Sequence, residues 1–124
     1  MSSKEMYREY LLDLYKFPHN FGTLQKFTHE GHHSNNSCGD MLFFQFYVKD
    51  NKIENVMFTG SGCVISIASA SLLTDAIKGK TLEEADKISA DDILSMLTVP
   101  ISPARIKCAL ISLDALKSTV EKSK

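Results

Sequence analysis

Met41-Leu42-Phe43-Phe44-Gln45-Phe46-Tyr47-Val48-Lys49, then Asp50-Asn51, then Ile53-Glu54-Asn55-Val56-Met57-Phe58-Thr59, is the stretch on which the fold turns. Phe, Tyr and Val crowd the first run, and the second alternates polar with apolar residues, so both read as β-strands. Asp50-Asn51 is good turn chemistry, because both side chains tolerate left-handed backbone. The three pieces predict an antiparallel hairpin. With the turn at these two residues, directly opposed positions have numbers that sum to 101.

Helices flank the hairpin on both sides. Upstream, Ser2 and Glu5 form a capping-box pattern, Tyr7, Tyr10, Leu11 and Leu14 follow at helical spacing, and Pro18 stops the helix near Phe17. Phe21 to Thr28 is a weakly marked candidate strand. His29 to Ser37 is polar and aperiodic, and is expected to be a flexible loop. Downstream, Ser61-Gly62 opens a helix from about Val64 to Lys78, with Gly79 at its C′ position. Thr81 with Glu84 predicts a short capped helix, Ala90 to Leu97 another, and Ser102-Pro103 opens a last helix running through Val120. Helix, strands, then helices is the α+β order: a small three-stranded antiparallel sheet with helices packed on one face.

Composition bounds the function classes. The 124 residues suit one domain spanning 1–124, and 44% hydrophobic with 23% charged residues is ordinary for a globular protein. A net charge of −1 gives no footing for nucleic acid or an anionic membrane as partner. Met1-Ser2-Ser3-Lys4-Glu5 lacks an apolar leader and no apolar run reaches membrane-spanning length, so a cytoplasmic address is expected. Three cysteines cannot form a closed disulfide framework, and reduced thiols fit that address.

Those cysteines are the chemical signal. Cys38 and Cys63 sum to 101, so the hairpin register delivers both to one end of the ladder. Cys63 then stands at a helix N-terminus, where N–H groups and the dipole favour a thiolate. On the last helix, Ile106, Ala109, Leu110, Leu113, Leu116 and Val120 make an apolar stripe. Cys108 falls away from it, beside Ala104, Ser112, Ala115 and Thr119, and is expected off the core with Arg105 and Lys107 as neighbours. Asp40, two residues after Cys38, brings a carboxylate to the same space. Three thiolates and one carboxylate make a mixed four-ligand pocket for zinc or an iron–sulfur cluster, and the weaker oxygen donor suits a site that releases what it holds.

At these residues the chain resembles the U-type iron–sulfur cluster assembly scaffolds, the IscU, SufU and NifU N-terminal family. The resemblance is carried by Ser37-Cys38-Gly39-Asp40, by Gly60-Ser61-Gly62-Cys63 running on to Ser71, and by Pro103-Ala104-Arg105-Ile106-Lys107-Cys108-Ala109. Tyr15-Lys16-Phe17-Pro18-His19-Asn20 matches the exit of that family's first helix. The resemblance implies a SufE/IscU-like fold and a non-enzymatic scaffold role. It implies that sulfur comes from a cysteine desulfurase, that a transient [2Fe–2S] cluster is built on Cys38, Asp40, Cys63 and Cys108, and that the cluster passes to apo iron–sulfur acceptor proteins. Zinc in the same site is implied as well. Lys107 stands where IscU-type members carry histidine, as in SufU, yet the 44 residues between Cys63 and Cys108 leave no room for the usual SufU insertion. The Leu-Pro-Pro-Val-Lys chaperone segment of IscU is replaced by Val99-Pro100-Ile101-Ser102-Pro103.

A second reading makes the chain a zinc-bound sulfur acceptor that relays persulfide for a desulfurase without building a cluster. A structural zinc module is a third, disfavoured by the lack of CxxC pairs and by the carboxylate ligand. His29, His32 and His33 read as a solvated loop, with spare metal ligation as the alternative. Lys107 reads either as a solvated charge or as a group tuning the thiolates.

Overall fold

In a computed structural model of the chain, residues 3–35, 39–98 and 101–121 are described. The elements run α1 (Ser3–Lys16), β1 (His29–Asn35), β2 (Asp40–Lys49), β3 (Lys52–Ser61), α2 (Val64–Ile77), α3 (Leu82–Asp86), α4 (Ala90–Leu97) and α5 (Pro103–Glu121). The strands form one antiparallel sheet in the order β1-β2-β3. This is the α+β fold expected.

The hairpin turns where the sequence predicts, with φ of 53° at Asp50 and 65° at Asn51. Positive φ at both central residues is the tight turn whose twist matches the strands. Lys49 faces Lys52 and Val48 faces Ile53, both summing to 101; beyond a bulge Tyr47 faces Asn55, and every later pair sums to 102. Glu54 is the extra residue, and it flips the parity of the strand. Ile53 and Val56 therefore both point inward while Glu54 and Asn55 face solvent. The inward face of β2 carries Leu42, Phe44 and Phe46, fully buried against the helices.

Two expectations need correction. Phe21 to Thr28 is no strand: it contributes one bridge, Phe21 to Phe58, and its Leu24 amide donates to Gln45 Oε1 at 2.8 Å. The strand lies one segment later, at His29–Asn35, in the stretch expected to be a loop. Its only buried residue is Gly31, so it lacks the alternation that marks a strand. A Cβ on Gly31 would come within 2.7 Å of the Thr119 backbone, which shows how closely α5 crosses β1 there.

That crossing also corrects the reading of α5. Ser112, Ala115 and Thr119 are fully buried and Cys108 is 4% exposed; of the expected stripe Ala109, Leu116 and Val120 are buried as well, while Ile106, Leu110 and Leu113 are only half-buried. The small-residue face is the one pressed on the sheet, because only small side chains permit that approach. Cys108 is therefore inside the molecule.

The remaining boundaries match expectation. Thr81 with Glu84 forms the expected capping box at α3, and α4 begins at Ala90 as expected, with a further box from Ser89 and Asp92. Gly79 takes φ 83° at the C′ position of α2, and its amide donates to the Ile53 carbonyl at 2.8 Å, tying that helix end to β3. Ser102 receives the first α5 bonds through its carbonyl, from the Arg105 and Ile106 amides. The Ser2 half of the first capping box lies outside the described residues.

Candidate metal centre

Three elements meet at the open end of the hairpin: β2 starts with Asp40, Cys63 is the N-cap of α2, and Cys108 lies in the second turn of α5. One ligand atom from each of Asp40, Cys63 and Cys108 lies within 4.8 Å of the others. Cys38 lies outside the described residues; along the chain it precedes Asp40 by two positions. The bulge moves the ladder by one residue; its last pair is Met41 with Ser61, and Gly62, just beyond it, lies against Asp40.

Gly62 makes that contact possible. A Cβ there would sit 2.3 Å from Ser66 Oγ and 2.8 Å from Asp40 Oδ1. Without a side chain at 62, the Cys63 amide donates to Asp40 Oδ1 at 3.3 Å. Asp40 is 2% exposed, and its Oδ2 is buried without a hydrogen-bond partner among the described residues. A buried carboxylate oxygen with no donor is costly. A metal ion beside it would supply the missing positive charge, so this donor set fits a zinc ion or an iron–sulfur unit.

The surroundings of Cys63 shift its thiol toward the thiolate. Burial alone pushes its thiol pKa up, but the Ser66 backbone N–H and hydroxyl, the Cys108 thiol and the Ile65 N–H all favour the charged sulfur, and the net result lies below the ordinary 9.0. The Ser66 hydroxyl sits 3.8 Å from Cys63 Sγ and 3.0 Å from the Cys63 carbonyl. Sequence reasoning anticipated the helix terminus but missed Ser66. Its signal was present, since Cys63 and Ser66 have the N-cap-to-N3 spacing of a capping box.

Around these groups lies an open cleft of about 520 Å³, lined by Gly39, Ser61 and Arg105 besides the ligand candidates. Lys107 is exposed and does not line it, which favours its solvated reading. The histidines do not join the cluster. His33 pairs with Asp114 at 3.6 Å, His29 meets the Thr28 hydroxyl at 2.6 Å, and His19 contacts Asp75 at 2.6 Å. Among the described residues no helix is long and apolar enough to cross a membrane.

Such an arrangement defines a small α+β domain that presents sulfur and oxygen donors at an accessible edge. The chain belongs to the NifU-like N-terminal domain family, whose model matches residues 6–124. It is 39% identical over 126 residues to the mitochondrial iron sulfur cluster assembly protein 1 of Debaryomyces hansenii, covering 98% of this chain and 69% of the relative. With the iron-sulfur cluster assembly scaffold protein IscU 1 of Archaeoglobus fulgidus it shares 34% over 115 residues, 93% of this chain and 74% of the relative. The zinc-dependent sulfurtransferase SufU of Bacillus subtilis is 37% identical, covering 94% of this chain and 90% of the relative. That alignment spans 134 residues against a chain of 124, as expected if SufU carries an insertion absent here. The NifU-like N-terminal protein of Brucella abortus superposes with a TM-score of 0.77, covering 97% of this chain and 95% of that one; at 17% identity the likeness concerns the fold alone.

Proposed function

We propose that this protein is a scaffold on which a [2Fe–2S] cluster is assembled from sulfur given by a cysteine desulfurase, and from which the cluster passes to apo acceptor proteins. The observation that carries the reading is the convergence of Asp40, Cys63 and Cys108 ligand atoms within 4.8 Å, with one carboxylate oxygen buried and unpartnered among the described residues. Cys38 completes the donor set in this reading. Among the described cysteines, Cys63 is the sulfur acceptor whose surroundings favour a thiolate: it attacks the outer sulfur of the desulfurase persulfide, the S–S bond there breaks, and the desulfurase thiolate leaves. Asp40 holds the iron of the cargo more weakly than the sulfurs do, which favours hand-over. A cytoplasmic address is part of this reading, although the Debaryomyces relative is named as mitochondrial.

The test is anaerobic reconstitution with a cysteine desulfurase, cysteine, ferrous iron and reductant. Visible cluster absorption, followed by activation of an apo-acceptor, is the expected result. Absence of both would defeat the scaffold reading.

A second reading has its own support in the Bacillus relative and in Lys107, which replaces the IscU-type histidine. Here zinc stays bound and shapes the cleft while one thiolate accepts sulfur. Desulfurase turnover would then rise on addition of the zinc-loaded protein, with no cluster formed, and Cys63→Ala would abolish the stimulation.

A further inference from the structure

A second and larger cavity adjoins the metal centre. It is a trough of about 710 Å³ that shares Cys63 and Arg105 with the smaller cleft. One wall is α1, where Arg8, Leu11, Leu12 and Tyr15 recur at the i, i+3, i+4, i+7 spacing of a helix face. Val64 and Ile65 at the start of α2, and Ile101 before α5, close the other side.

Three features say what belongs in it. The walls are apolar and partly open to water, with Leu12 at 39% and Tyr15 at 43% exposure. Among the described residues, its charged lining residues are Arg8 and Arg105, and none is a carboxylate. Among the described residues neither arginine takes part in an ion pair or hydrogen bond, whereas Lys117 pairs with Asp86 and Lys78 with Asn20. Two uncommitted guanidiniums beside an apolar floor call for an occupant that is both apolar and anionic. Two cations on a chain of net charge −1 are too few to hold a polyanion such as nucleic acid.

We propose that the trough is the docking site for an extended segment of a partner protein, in which an Asp or Glu stands next to a large aliphatic or aromatic side chain. The apolar side chain packs on Leu12, Tyr15 and Ile65, and the carboxylate pairs with Arg8 and Arg105. Because the trough opens on Cys63, a partner held there brings its neighbouring residues to the metal cleft. The docking does not depend on which cargo that cleft carries.

Selection of random twelve-residue peptides by mRNA display against the full chain tests the idea. Enriched sequences should place an acidic residue within one or two positions of Leu, Ile, Phe or Tyr. Amide shifts on titrating the best synthetic peptide should centre on Leu12, Tyr15, Val64, Ile65 and Ile101. Arg8→Glu should weaken that peptide at least tenfold and shift preference toward its Asp→Lys counterpart; Leu12→Asp, at an exposed position, should weaken it similarly. Zinc uptake in both variants should equal that of the parent. No enrichment, enrichment without acidic residues, shifts elsewhere, or unchanged affinity in both variants would each overturn the proposal.

Discussion

At the residue scale the site is a balance between groups that dislike burial and groups that compensate for it. Asp40 illustrates this: one oxygen accepts a long bond from the Cys63 amide while the other has no partner among the described residues. Asp40→Ala should therefore stabilise the metal-free protein by about 1 kcal/mol, since an unsatisfied buried oxygen costs more than one long bond returns. Thermal unfolding of the metal-free forms checks this. The same substitution should slow loss of a reconstituted cluster, followed by visible absorption, because the exchangeable oxygen donor is gone. Ser66→Ala should raise the Cys63 pKa toward 9.0, read from the pH dependence of alkylation of the metal-free protein. Because the folded pKa is lowered, the Cys63 thiolate adds stability that is complete above the unfolded value and lost as pH falls through the folded one. Ser66→Ala should flatten that dependence.

Secondary-structure elements show what the amino-acid pattern could and could not reveal. Phe- and Val-rich β2, the Asp50-Asn51 turn and the Thr81-Glu84 capping box are local signals, and each sits where sequence reasoning put it; the Ser89-Asp92 box has the same spacing and was missed. The register slip had a local signal too, as Glu54-Asn55 places two polar residues in succession where strict alternation allows one. β1 had none: its inward position is filled by Gly31 with α5 lying across it, so the hydrophobic partner of that strand is a distant helix. The same contact explains why Cys108, off the apolar stripe, is nonetheless buried. Serine, alanine and threonine look like a surface face until a helix is known to need close approach. Gly31→Ala should consequently lever α5 away from β1, costing about 2 kcal/mol and several degrees in Tm. Circular dichroism melting checks it, and an unchanged melt would mean the contact is slack.

For the whole molecule, the sheet and helices matter because they bring residues far apart in the chain to one edge. A hairpin end, a helix start and the second turn of another helix must stay in register for Asp40, Cys63 and Cys108 to share an ion. Both functional readings, cluster scaffold and zinc-bound sulfur acceptor, need that meeting point. They differ only in what occupies it during turnover. X-ray absorption at the zinc edge of the zinc-loaded chain addresses the meeting point most directly. The expected spectrum fits three sulfurs at roughly 2.3 Å and one oxygen at roughly 2.0 Å, and Cys63→Ser and Cys108→Ser each remove one sulfur. A sulfur count that stays the same in either variant would contradict the account.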